Sequence, residues 1–252
     1  MIILSHPTAN QNVRQTALAL AQANLLAEFW TCVNWREDSL LDRSLGMVGR
    51  VRNELRRRSF PPELAPFLHT HAWREWGRQL AGQLGWSSLT QAENAPFSVD
   101  AVYLSLDRCV ARRLATAANV DAVYAYDAGA LATFRAAKAC GLKCIYEHPI
   151  VYWRKVRELQ TEEAELTPEW APTLGALADS AAKLDRKAAE LALAALVVTA
   201  STFTNQSLAA AGPLPTPPAR PPTARNPSGA APHPPHARHP PPPKAPDLPP
   251  TN

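Results

Sequence analysis

The sequence predicts an α/β protein: a single Rossmann-like domain over residues 1–211, its mostly parallel sheet flanked by helices, with a disordered proline-rich tail over 212–252. Three observations carry this reading. Short apolar runs alternate with helical periodicity at both ends of the body. The longest late apolar run, 191–198, is too short to span a bilayer, which needs about 20 residues. Of the 25 prolines, 17 fall between positions 213 and 250, where Leu214 and Leu248 are the only large apolar residues. Such a segment buries too little surface to offset its ordering entropy.

Charge divides along the same boundary. The chain carries a formal +4, and the tail holds Arg220, Arg225, Arg238 and Lys244 against Asp247, leaving only +1 for the body. A basic nucleic-acid face on the folded part is therefore not expected. Cys32, Cys109, Cys140 and Cys144 form no paired C-x-x-C arms, so the reading is reduced thiols and no zinc site. Residues 1–4 are apolar but lack a preceding basic stretch, so no secretory signal is read, and a cytoplasmic protein is expected that could touch a membrane surface.

Residues 1–5 (MIILS) read as a strand, 6–12 as a loop, and Val13, Ala17, Leu20 and Ala21 as one helical face. Residues 29–33 (FWTCV) restore strand character and complete a β-α-β opening. Leu41, Leu45, Val48, Val51 and Leu55 share a helical stripe that leaves Arg50, Arg52, Arg56, Arg57 and Arg58 largely outside it. Residues 91–97 resemble a loop and 99–118 a helix. From Asp121 the alternation returns with strand DAVYAY, a helix over 128–140 stopped by Gly141, and strand LKCIY. Helices over 150–165 and 179–193, a strand over 195–200 and a short helix capped by Ser201 complete the body.

In parallel α/β sheets ligands lie outside the carboxyl ends of the strands. That rule sets His6 with residues 7–12, Tyr126 with Asp127, and Glu147 with His148 along one cleft edge. The His148 imidazole could donate to a sugar hydroxyl or a developing anion, or simply cap a turn before Pro149. Asp127 or Glu147 could act as general base, or be an ordinary loop carboxylate. The loop SHPTANQN has no glycine and is not a phosphate-cradling fingerprint; Asn10 or Asn12 caps the helix that follows. Trp73, Trp76, Tyr146, Tyr152 and Trp153 read as a sugar-stacking platform or as packing. His69 and His71, on a helix or turn, are poorly spaced for a metal. The arginines at 50–58 could attract anionic lipid or form a solvated face. In the tail, the His233, His236, His239 spacing and the Pro215, Pro218, Arg220 match to a P-x-x-P-x-R ligand read as metal and SH3-type possibilities or as chance composition.

Two segments, VYAYDAGALATFRAAKACGLKCIYEHPIVYWR at 123–154 and DSAAKLDRKAAELALAALVVTASTFTNQSL at 179–208, resemble the N-terminal, acceptor-side domain of family 4 glycosyltransferases with the GT-B fold. With RRRSFPPELAPFL at 56–68 and the β-α-β opening, the likeness covers nearly all of residues 1–210. It implies catalytic roles for His148, Asp127 and Glu147, and acceptor-binding roles for His6, Asn10, Tyr126, Tyr152 and Arg154. It also implies a nucleotide-sugar co-substrate, a sugar acceptor as partner, and no metal or further cofactor. The family's Glu-Asp-Gly-Ala pattern reads Asp127, Ala128, Gly129, Ala130 here, one carboxylate fewer. Its donor-domain Glu-x7-Glu motif has no counterpart. The composition instead switches after Gly212, as a replaced reading frame would do, so the domain is expected to be inactive alone. The alternatives from other classes are a non-catalytic scaffold that presents its tail to partners and a stand-alone small-molecule-binding α/β domain.

Overall fold

The computed structural model describes residues 1–8, 10–34 and 59–212. The arginine stripe at 50–58 and the tail from 213 onward, with the histidine and P-x-x-P matches in it, lie outside the described residues.

The opening run forms β1 (Ile2–Ser5), and the Asn10 side chain starts α1 (Gln11–Gln22) by accepting from the Val13 amide at 3.1 Å. The chain turns back through Asn24 at φ 55°, a left-handed conformation that asparagine tolerates, into β2 (Leu26–Thr31). A proline-led 3₁₀ turn, Pro62–Phe67, feeds β3 (Leu68–Thr70) and then α2 (Trp73–Gln83). The Ser98 hydroxyl caps α3 (Val99–Leu114) by accepting from the Ala101 amide at 3.0 Å.

β4 (Ala122–Tyr126), α4 (Leu131–Ala139) and β5 (Lys143–His148) follow, then α5 (Trp153–Leu166), α6 (Ala181–Leu193), β6 (Leu196–Thr199) and α7 (Thr202–Ser207). Gly141, at φ +72°, ends α4 as expected. Its amide donates to Lys138 O at 3.1 Å and the Leu142 amide to Ala137 O at 2.8 Å, the paired bonds of a Schellman stop. Ser201 caps α7 through the Thr204 amide.

Among the described residues six strands form one sheet in the order β3-β2-β1-β4-β5-β6, every neighbouring pair parallel. The fold is therefore a Rossmann-like α/β layer structure. Side chains alternate between its faces. Ile3, Val123, Ala125, Cys144 and Tyr146 belong to one core, with Val102, Leu106 and Val110 of α3 and Phe134 of α4. Leu4, Tyr124 and Tyr126 belong to the other, with Val13 and Ala17 of α1 and Phe29 of β2.

Two elements differ from the sequence expectation. β2 begins at Leu26 rather than Phe29, because Leu26 is buried with Phe29 in the second core. His69, expected on a helix or turn, lies in β3, its ring stacked on Trp30 at 4.8 Å; a three-residue edge strand is too short to show a period of two. No disulfide joins the four cysteines. Among the described residues no helix is long and apolar enough to cross a membrane.

Candidate functional site at the carboxyl ends of the strands

The strand order reverses direction between β1 and β4, and in such sheets the crevice beyond the carboxyl ends at that point receives ligands. A cleft of about 340 Å³ lies there, lined by His6, Asn10, Tyr126, Asp127, Glu147 and Lys187 among others. His148 lines an adjoining cavity of about 50 Å³ that shares Asp127 and Lys187 with the cleft. The topology thus gathers six of the eight sequence candidates around two spaces that share lining residues. Tyr152 and Arg154 line neither. Tyr152 is buried in the core, its amide donating to Ser207 Oγ at 2.8 Å, and Arg154 donates to the Ala210 carbonyl at 3.0 Å beside the Trp153 ring. Trp73 and Trp76 also line neither space and sit exposed on α2.

Asp127 follows β4 directly, at the head of the turn into α4. Its Oδ1 accepts from the Tyr146 hydroxyl at 2.6 Å and lies 3.8 Å from His148 Nδ1. Glu147, on the opposite face of β5 from Tyr146, accepts from the Tyr124 hydroxyl at 2.7 Å. Neither carboxyl group has a lysine or arginine bridge among the described residues. The cleft's cations are committed elsewhere: Lys183 bridges Asp100 and Asp179, and Lys187 bridges Asp179 at 3.0 Å. Beside the Asp100–Lys183 ion pair, the cleft presents two hydrogen-bond-accepting carboxyl groups oriented by phenols, a lining suited to ligand hydroxyls.

His148 is 3 % exposed, stacked against Tyr146, and both of its ring nitrogens are buried without a hydrogen-bond partner. Burial pushes its pKa down, the Asp127 carboxyl opposes this, and Lys187 adds to the lowering. A neutral imidazole with two unsatisfied nitrogens beside a cavity is an unspent hydrogen-bonding group. His6 is also buried, edge-on to Tyr126 at 4.7 Å, with Nδ1 accepting from the Thr8 amide; burial lowers its pKa to about 4.

Three acids that the sequence did not single out build this end of the sheet. The first amides of α4 lie a few residues beyond Asp127, and a helix start ordinarily attracts an anion. Here they are already satisfied. Asp107, buried on α3, accepts from the Ala132 and Thr133 amides, each at 2.8 Å. Glu190, fully buried on α6, accepts from the Ala128 amide at 2.9 Å and the Ala130 amide at 3.1 Å. Asp100 anchors Lys183 and Arg186. The one signal in the sequence was the absence of a side-chain cap: α4 starts after Ala130, so its amides had to find acceptors elsewhere.

Glu190 also holds a strained turn. Ala128 sits at φ 70°, in the left-handed region that costs an alanine roughly 1–2 kcal/mol. Ala128→Gly is expected to stabilise the domain by about 0.5 kcal/mol, the relieved strain less the extra chain entropy of glycine. Urea midpoints would measure it, and a lower midpoint would show that the turn is not strained.

Comparison with protein-family models, with curated proteins and with solved structures finds no match. The functional reading therefore rests on the residues and their geometry.

Proposed function

We propose that this domain is the acceptor-side half of a glycosyltransferase of the GT-B type, binding a hydroxylated acceptor at the β1/β4 crevice. The observation that supports the reading best is the convergence of Asp127, Glu147 and His148 at the carboxyl ends of adjacent parallel strands, around a cleft whose cations are already paired. In this role Asp127 is the general base toward an acceptor hydroxyl, and Glu147 receives a second hydroxyl. His148, whose ring nitrogens have no hydrogen-bond partner among the described residues, donates to a sugar oxygen. Val99 and Ile150, both more than half exposed, line the cleft, where a facing donor domain would cover them. Transfer needs both reactants held and the leaving diphosphate stabilised, so this domain by itself binds acceptor and does not turn over.

Saturation-transfer NMR with a panel of monosaccharides and disaccharides tests the reading. The expected result is signal from at least one sugar that Asp127→Asn reduces about tenfold or more, with no release of nucleotide from nucleotide-sugars by the chain alone. The absence of sugar signal across the panel, or signal indifferent to Asp127→Asn, would sink it. The cleft's volume also suits a free-standing binder, since small-molecule pockets span roughly 300–1,000 Å³. Binding of apolar or aromatic ligands in place of sugars would favour that second reading.

A further inference from the structure

The Tyr146 hydroxyl lies 2.6 Å from Asp127 Oδ1 and 3.1 Å from Glu190 Oε2, yet it carries a single hydrogen. One hydrogen serves both only as a weaker bifurcated bond, whereas a proton from a carboxyl group makes the second contact a full hydrogen bond. Burial, with the two carboxyl groups adding to it, pushes the Tyr146 phenol well up, so the hydroxyl itself keeps its hydrogen. The second proton belongs to the two acids. Of these, Glu190 is fully buried, whereas Asp127 lines both the cleft and the cavity beside His148.

We propose that Glu190 is the proton-holding partner of Asp127: a proton on Glu190 donates to Tyr146, and Tyr146 in turn donates to Asp127, keeping the cleft-facing carboxyl ionised and aimed. Glu190 touches no ligand and is a positioning residue, and its role rests on the proposed use of Asp127 as base. In that step the acceptor O–H bond breaks, the proton passes to an Asp127 oxygen and the electron pair stays on the acceptor oxygen. The neighbouring charges favour the assignment. Burial, the largest cause, raises the Glu190 pKa to about 7; the hydrogen bond from the Ala130 amide opposes it, Asp127 on the turn and Asp107 on α3 add to the rise, and the Tyr146 hydroxyl opposes it. The other titratable groups around the pair are Tyr103 on α3, His148 on β5, held neutral by burial, and Lys187 on α6, already bridged to Asp179. The arrangement is a pair of carboxyl groups joined through one phenol.

A ¹³C-carboxyl NMR titration of the full chain from pH 4 to 9 tests this without any sugar, so its outcome is separate from that of the binding experiment. The expected result is a Glu190 carbon that titrates near neutrality, with a matching inflection in the Asp127 carbon at the same pH. Glu190→Gln and Tyr146→Phe should each remove that inflection from Asp127. A wild-type Glu190 carbon that titrates in the ordinary range near 4.5, or an Asp127 carbon with no step in the neutral range, would overturn the proposal. Persistence of the Asp127 step in a folded Glu190→Gln protein would do the same. The wild-type measurement decides even if neither variant folds.

Discussion

Asp107→Ala is expected to destabilise the domain by about 3 kcal/mol or more, a large loss for one side chain on a helix that otherwise looks amphipathic and ordinary. The carboxyl group is 2 % exposed and satisfies two amides at the start of α4, which has no cap of its own. Its removal leaves both amides buried and unpaired, and takes a negative charge from the positive end of the helix. Asp107→Asn keeps one accepting oxygen and should recover about half of the loss. Denaturant titration of the three proteins would measure this, and a loss below about 1 kcal/mol for the alanine variant would mean that water satisfies the amides instead.

The second large effect is a dependence of stability on pH that runs against the usual direction for an acid. Glu190 has its pKa raised from 4.5 to about 7 in the folded protein. The folded state therefore holds a proton that the unfolded state has released. The corresponding stability is fully present below pH 4.5 and is lost as pH rises through about 7. A tenfold change in proton affinity is worth about 1.4 kcal/mol, so the loss is about 3 kcal/mol. His6 acts in the opposite sense. Its pKa falls from 6.5 to about 4, so its contribution is present above pH 6.5 and disappears as pH falls through about 4. Between about pH 4.5 and 6.5 the two slopes offset each other in the wild type. The Glu190 contribution is seen in the difference between wild type and Glu190→Gln, which should move by about 3 kcal/mol in favour of the variant from about pH 4.5 to 7.5. The amide of the variant accepts from only one of the two backbone donors, which adds a pH-independent offset. A pH-independent difference between the two proteins would show that Glu190 is ionised throughout.

The coupling of these acids explains why the site was only partly legible beforehand. Asp127, Glu147, His148 and His6 were found because each ends a strand or directly follows one, and in a parallel sheet the strand end is the site. That inference needs only local pattern and a rule of topology. Tyr152 and Arg154 were drawn in as acceptor-binding residues by the family resemblance, and they line neither the cleft nor the adjoining cavity. Tyr152, just before α5, and Arg154, in its first turn, instead meet residues 207–210, where the Ser207 hydroxyl accepts from the Tyr152 amide and the Ala210 carbonyl from the Arg154 guanidinium. Asp107 and Glu190 were missed for another reason. Each lies within a helix, where an acid usually faces solvent, and each finds its partners 25 or more residues away, on the turn and helix that follow β4.

The sequence alone determined most of the strands and helices, β3 and α2 excepted, because cap and stop signals such as those at Asn10, Gly141 and Ser201 act over a few residues and each is satisfied locally. It also determined that the strands are parallel, since helices separate most of them. Only the tertiary structure decided the order β3-β2-β1-β4-β5-β6, and with it the meeting of Asp127, Tyr146 and Glu190, because those contacts join distant parts of the chain. A buried acid takes its protonation state from the groups that surround it. That surrounding exists only when α3, α4, β5 and α6 have packed together.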